Sequence, residues 1–234
     1  MILEALRGGL IVSVQAEASS LLNTPEAIAL LARVAVANGA RGVRVEGLAR
    51  IGAVRRAVSV PVIGIVKRHY EGFAPYITAG DREIEEVVAA GAEIIAFDAT
   101  GRPRPDGRDV AATVAAIHRC GRIAMADCAD AQDVRRAADA RADIVATTLC
   151  GYTEATRATT LPALDLVRAA AASGCFAVCE GGVASPGDVR AAFDAGADAV
   201  VAGTALTNID VLVQRFVDGT QRSNLPKTAE RTVR

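Results

Sequence analysis

Short apolar runs alternate along this chain with longer alanine-rich stretches in which apolar residues recur at helical spacing. Runs at 10–15, 42–46, 62–67, 93–98, 122–127, 143–147, 176–180 and 199–203 end on polar residues or glycine and predict strands. The stretches 25–37, 81–90, 110–119, 131–140, 161–172, 186–194 and 211–217 predict helices. Thr24-Pro25 and Ser185-Pro186 read as an N-cap followed by proline at the first helical position. Short connections favour consecutive parallel strands joined by right-handed crossovers.

One phrase recurs four times. Asn38-Gly39-Ala40-Arg41-Gly42-Val43-Arg44-Val45 returns as Ala90-Gly91-Ala92-Glu93-Ile94-Ile95-Ala96-Phe97. It returns again as Ala140-Arg141-Ala142-Asp143-Ile144-Val145-Ala146-Thr147 and as Ala195-Gly196-Ala197-Asp198-Ala199-Val200-Val201-Ala202. The copies begin about 50 residues apart, twice one strand-plus-helix unit, so they mark alternate members of an even βα series. This predicts an α/β fold, a closed eight-stranded parallel (β/α)8 (TIM) barrel, as one domain over 1–218 with a polar tail at 219–234. The rival is an open doubly wound sheet. It would carry a glycine-rich fingerprint after the first strand, where this chain has Gln15-Ala16-Glu17-Ala18-Ser19-Ser20.

A barrel of this kind carries its chemistry at the C-terminal ends of the strands. Those positions are Gln15, Arg44 with Glu46, Lys67 with Arg68, Asp98, Asp127, Thr147 with Thr148, Glu180 and Gly203. Ionisable groups ending apolar strands are costly unless they pair or act. Val43 and Val45 take the helix-facing parity of their strand, which turns Arg44 and Glu46 toward the barrel mouth. Glu180-Gly181-Gly182 and Ala202-Gly203-Thr204 fall where the last two βα-loops offer backbone N–H groups to phosphate; two ordinary turns are the bland alternative.

Composition narrows the partners. Half of the 234 residues are apolar and the net charge is −1 with both signs interspersed, so no basic stripe or aromatic platform points to nucleic acid. Five cysteines without a CxxC pair and two histidines suggest reduced thiols rather than a metal site, and hence a cytoplasmic protein. No apolar run reaches membrane-spanning length, and the first residues lack signal-peptide architecture. The apolar helices and the tail are compatible with a homodimer.

The strand ends also carry a family resemblance. Leu10-Ile11-Val12-Ser13-Val14-Gln15-Ala16, Pro61-Val62-Ile63-Gly64-Ile65-Val66-Lys67-Arg68, Asp98-Ala99-Thr100 with Arg104-Pro105, Met125-Ala126-Asp127, Thr147-Thr148-Leu149-Cys150-Gly151-Tyr152-Thr153 and Cys179-Glu180-Gly181 resemble the N-acetylmannosamine-6-phosphate 2-epimerase family of sialic acid catabolism. The resemblance implies inversion at C2 of an amino-sugar 6-phosphate without cofactor or metal. It implies that Lys67 moves the C2 proton with Glu180 as acid/base partner, and that Gln15, Arg44 and Asp127 hold the sugar and tune that pair. Gly181, Gly182 and Gly203 would take the phosphate. The chain departs from the family where Gly182 replaces an arginine, where Leu206-Thr207-Asn208-Ile209 replaces Ile-Thr-Arg-Pro, and where Val14 replaces a cysteine.

The C2 hydrogen becomes acidic only once the ring opens to an aldehyde, a step that a carboxyl group at Glu180 can assist. The resulting enolate needs donors, for which Arg44, Arg68 and the Gln15 amide are candidates. A free lysine, with a pKa of about 10.4, is a poor base near neutrality. Burial, Arg44 and Arg68 would lower it, and Asp127 and Glu180 would raise it. The 70–77 loop, which gathers aromatic residues, is either a lid or a surface loop packed on itself. His69 reads as a solvent-facing loop residue and His118 as structural. The alternatives are another phosphosugar isomerase on the same barrel and a barrel that binds a sugar phosphate without turning it over.

Overall fold

Strict alternation within each strand decides the architecture. The computed structural model describes residues 1–220. The elements run α1 (Ile2–Leu6), β1 (Gly9–Val14), α2 (Pro25–Ala37), β2 (Gly42–Glu46), α3 (Leu48–Ala57), β3 (Val62–Ile65), α4 (Asp81–Ala89), β4 (Ile94–Asp98) and α5 (Val110–Arg119). They continue β5 (Ile123–Asp127), α6 (Ala131–Asp139), β6 (Ile144–Ala146), α7 (Leu164–Ala171), β7 (Phe176–Cys179), α8 (Pro186–Asp194), β8 (Ala199–Ala202), α9 (Thr204–Thr207) and α10 (Ile209–Thr220). The eight strands pair in sequence order, all parallel, and β8 closes on β1.

One parity of each strand points outward. Val12, Val43, Val45, Ile95, Phe97, Ala126 and Val145 bury against the helices. The other parity fills the barrel with Ile11, Ile63, Ile65, Ile94, Met125, Ile144, Phe176, Val178 and Val201. The interior is therefore a packed core up to the last inward position of each strand, where the apolar series stops.

The repeated phrase forms the N-terminal face of β2, β4, β6 and β8. Its turn residue has positive φ in every copy: Gly39 at 96°, Gly91 at 99°, Arg141 at 62° and Gly196 at 99°. The acid of the later copies accepts a backbone N–H at the start of the preceding strand. Glu93 takes Val62 N at 3.0 Å, Asp143 takes Ala124 N at 2.8 Å and Asp198 takes Ala177 N at 2.8 Å. These bonds fix strand register and leave the opposite face to chemistry.

Helices α2, α5 and α8 fall at the expected residues, while α1, α3 and α9 were not anticipated. The five residues of α1 are too few to show periodicity, yet Leu6 is fully buried at the floor of the barrel and contributes about 1.5–3 kcal/mol. In α3 only Ile51 and Val54 are buried, a stripe too narrow to read among its arginines. The last helix, α10, extends through Gly219 to Thr220, past the expected domain edge at 218; the rest of the expected polar tail, 221–234, lies outside the described residues. None of the helices among the described residues is long and apolar enough to cross a membrane.

Candidate active site

The inward parity of the strands carries each series from apolar to polar at the C-terminal rim. Ile11-Ser13-Gln15, Ile63-Ile65-Lys67, Ile144-Ala146-Thr148 and Phe176-Val178-Glu180 each climb from core to mouth. Over this rim opens a cavity of about 510 Å³ lined by Ser13, Gln15, Lys67, Tyr76, Thr148, Glu180 and the glycines 181, 182 and 203, among others. That volume suits a small ligand.

The floor is an ionic network. Arg44 is 1% exposed and Asp127 is fully buried. The guanidinium grips Asp127 with two bonds, Nη1 to Oδ1 at 3.0 Å and Nη2 to Oδ2 at 2.6 Å. Nη1 also donates to Glu180 Oε2 at 2.8 Å. Thr148 Oγ1 lies 2.8 Å from Asp127 Oδ1 and 3.1 Å from Glu180 Oε2. Burial opposes the charge of Arg44, but Asp127 and Glu180 more than offset it and keep the guanidinium protonated. Burial raises the Glu180 carboxyl above the ordinary carboxylate range; Arg44 opposes that rise and Asp127 adds to it.

Arg44 and Asp127, expected to hold the sugar and tune the Lys67–Glu180 pair, engage one another, because a buried charge needs a partner and each is the other's. Arg44 lines the cavity beside Glu180, and Asp127 lies beneath it. The main chain of Glu180 is pinned as well: Thr147 Oγ1 donates to its carbonyl at 2.8 Å and accepts from its N–H at 3.0 Å.

Lys67 enters from the opposite wall. Its ammonium donates to Gln15 Oε1 at 2.9 Å, and Gln15 Nε2 donates to Ser13 Oγ at 2.7 Å. Thr207 Oγ1 donates to the Ser13 carbonyl at 2.8 Å and ties the end of α9 to β1. Partial burial and then the positive field of Arg44 lower the Lys67 pKa; Glu46, Glu180 and Glu17 pull the other way, and the net shift is downward. Gln15 is thus a partner of Lys67 as well as a wall of the cavity.

The glycine loops have geometric reasons. Gly181 and Gly182 hold φ of 102° and 73°, in the left-handed region. A Cβ at Gly182 would sit 2.3 Å from Leu161 Cβ, so an arginine there, as the family resemblance led one to expect, does not fit this loop. Gly203 packs on Ser13, its missing Cβ only 3.1 Å from the Ser13 Cβ. The place of the second expected arginine is Asn208, whose amide bonds Glu17 at 2.8 Å. A cation nevertheless lines the cavity from α10, at Arg215. Sequence reading missed it because α10 lies beyond the last strand.

Several strand-end candidates turn elsewhere. Arg68 pairs with Glu83 and Glu86 of α4, so it is no enolate donor. Glu46 pairs with Arg50 one helical turn on, and Asp98 is sealed by Thr100 and Arg102. The 70–77 loop is anchored by Tyr70, whose hydroxyl donates to the buried Glu83, and presents Tyr76 and Ile77 to the cavity. His69 stacks on Tyr76 at 5.0 Å, and His118 bonds Asp143 at the opposite end of the barrel. Thr148 and Ser13 were legible as inward positions, yet their bonding was not.

Comparison with known proteins settles the family. The profile described as N-acetylmannosamine-6-phosphate epimerase matches residues 28–222. The chain belongs to the N-acetylmannosamine-6-phosphate epimerase family. A relative of that name from Synechococcus elongatus is 46% identical over 219 residues, covering 92% of this chain and 94% of its own. Another, from Edwardsiella ictaluri, is 40% identical and covers 92% and 90%. The structurally and biochemically characterised N-acetylmannosamine-6-phosphate 2-epimerase from Clostridium perfringens superposes with a TM-score of 0.89 at 33% identity, over 93% of this chain and 96% of its own. A thiamine phosphate pyrophosphorylase from Pyrococcus furiosus, at 13% identity and a TM-score of 0.59, shares the fold alone.

Proposed function

We propose that this chain interconverts N-acetylmannosamine 6-phosphate and N-acetylglucosamine 6-phosphate, moving the C2 proton between Lys67 and Glu180. The observation that carries this reading is the placement of the two groups. β3 and β7 stand on opposite sides of the eight-stranded ring, so Lys67 and Glu180 face one another across the cavity. A carbon held between them has a proton acceptor on one face and a proton donor on the other. Return of the proton from the opposite face uses that arrangement; a single base acting on an intermediate that rotates is the other route to inversion.

Charge bookkeeping supports the same roles. Arg44 and Asp127 offset one another, which leaves Lys67 and Glu180 as the pair between which a proton can pass. Burial raises the carboxyl, and burial with Arg44 lowers the amine, so the two affinities move toward one another. One arrangement is a neutral amine facing a carboxylic acid; the other is an ammonium facing a carboxylate. A turnover that takes the C2 proton onto Lys67 and returns one from Glu180 converts the first into the second. The reverse reaction restores it. The carboxyl also reaches the ring-opening step, and the fixed charge of Arg44 beneath it stabilises the enolate as it forms.

The left-handed turn at Gly181-Gly182, Gly203 and the cation of Arg215 support the phosphate at the β7–β8 side of the cavity. All five cysteines are free thiols, which accords with a reducing cytoplasm. Leu206, Ile209, Val213, Phe216 and Val217 form an exposed apolar stripe at helical spacing along α9 and α10, which supports a homodimer. The test of function is incubation of N-acetylmannosamine 6-phosphate with the protein in D₂O, followed by proton NMR. The reading expects N-acetylglucosamine 6-phosphate carrying deuterium at C2. Binding without exchange would instead support a sugar-phosphate sensor.

A further inference from the structure

The return arm of the 70–77 loop sets Tyr76 beside Lys67. Ile77 forms an antiparallel bridge with Lys67, the Arg68 N–H donates to the Tyr76 carbonyl at 2.9 Å, and the Thr78 N–H donates to the Val66 carbonyl at 2.8 Å. The Tyr76 ring stacks on His69 at 5.0 Å and packs against the inner core cluster that contains Ile65, Ile77 and Leu149. These ties hold the ring at a fixed place relative to the lysine.

Its hydroxyl is unspent. Tyr70 gives its proton to Glu83, whereas no hydrogen bond to the Tyr76 hydroxyl is present among the described residues. Burial, and then the negative fields of Asp98 and Asp127, raise the pKa of Tyr76, so the phenol keeps a proton to donate. The surface around it is apolar: Ile65, Ile77 and Leu149 line the cavity and belong to the cluster on which the ring rests. A single donor set in an apolar wall complements an amide with a short alkyl end, whose carbonyl accepts and whose alkyl group packs.

The other polar groups of the cavity are already engaged. Thr148 is bonded to Asp127 and Glu180, and Gln15 joins Lys67 to Ser13. A sugar 6-phosphate with its phosphate on the β7–β8 side carries C2 toward the β3 wall, where the acylamino group on C2 meets Tyr76. We infer that Tyr76 is a specificity-determining residue, its hydroxyl donating to the carbonyl of the substrate's acylamino group while its ring and Leu149 pack the acyl chain. The inference rests on the reading of this cavity as the site of an N-acylated amino-sugar 6-phosphate.

The experiment is steady-state kinetics on N-acetylmannosamine 6-phosphate with the wild type, Tyr76→Phe and Tyr76→Leu. Mannose 6-phosphate, which lacks the acylamino group, serves as a competitive inhibitor of each, and circular dichroism melts check the fold. Tyr76→Phe keeps the ring and removes the donor. Its KM is expected to rise about three- to tenfold, the worth of one net hydrogen bond, with kcat within about twofold and the Ki of mannose 6-phosphate unchanged. Tyr76→Leu carries the same expectation should the phenylalanine variant fail to fold. A KM that stays put, a loss confined to kcat, or a Ki that rises in step with KM overturns the inference and spares the epimerase reading. A wild type that places no deuterium at C2 of N-acetylmannosamine 6-phosphate in D₂O overturns the reading on which the inference stands.

Discussion

Replacing Arg44 by methionine removes the one cation gripped by both buried carboxyl groups. The guanidinium is 1% exposed, Asp127 is fully buried, and the Glu180 side chain is 13% exposed. Methionine fills much of the same volume and supplies neither charge nor donors. Breaking a buried pair in this way leaves an uncompensated charge and costs about 3–5 kcal/mol. For a domain of this size each kcal/mol is worth about 2–4 °C, so Tm falls by about 6–20 °C at neutral pH. The pH dependence supplies the sharper check. Burial already raises the Glu180 carboxyl; without Arg44, which opposes that rise, its folded-state affinity for protons climbs further above the unfolded value. A raised carboxyl contributes stability below its unfolded pKa and loses it as pH rises through the folded one. The deficit should accordingly be smallest near pH 4–5 and grow toward pH 8. Differential scanning calorimetry across that range reads it directly. A second substitution, Asp127→Leu, should recover part of the loss, because an apolar pair can replace a buried ionic one at little cost. A drop below about 2 °C, or a deficit independent of pH, refutes the claim that this network is a tightly coupled buried one.

Three further outcomes follow from single positions. Arg141, exposed at φ 62° where the other copies of the repeat place glycine, should stabilise the fold when changed to glycine by about 0.5–1 kcal/mol; a melt showing no gain would contradict that. Gly182→Ala drives a Cβ into Leu161 from a left-handed backbone and should cost about 1–3 kcal/mol, visible as a lower urea midpoint with impaired turnover. Arg215→Ala should raise KM for the sugar phosphate about tenfold or more while sparing kcat, since a lost charge-assisted hydrogen bond is worth about 1.5–3 kcal/mol; an unchanged KM places the phosphate elsewhere.

Much of this was legible because barrel strands have period two and the repeat fixes their register. Once Val43 and Val45 face the helices, Arg44 must face the interior, and the same parity brings Lys67, Asp127 and Glu180 to one rim. Parity gives direction and says nothing of partners. Hence Arg68 and Asp98 looked as eligible as Lys67, although α4 and the loop after β4 claim them. Gln15 was placed rightly at the cavity, but its bond to Lys67 crosses from β1 to β3 and leaves no local trace. Arg215 was invisible for a related reason: α10 reaches the mouth only through the packing of α9 against β1. The floor of the barrel hid α1, a segment too short for any period.

The central claim is that Lys67 and Glu180 serve opposite faces of C2. Its most direct test is wash-out of the C2 proton in D₂O, followed by NMR from each epimer separately, with Lys67→Ala and with Glu180→Gln. The account predicts that neither variant epimerises and that each loses wash-out from a different epimer while keeping residual exchange from the other. Loss from the same epimer in both variants, or epimerisation surviving in either, would contradict it.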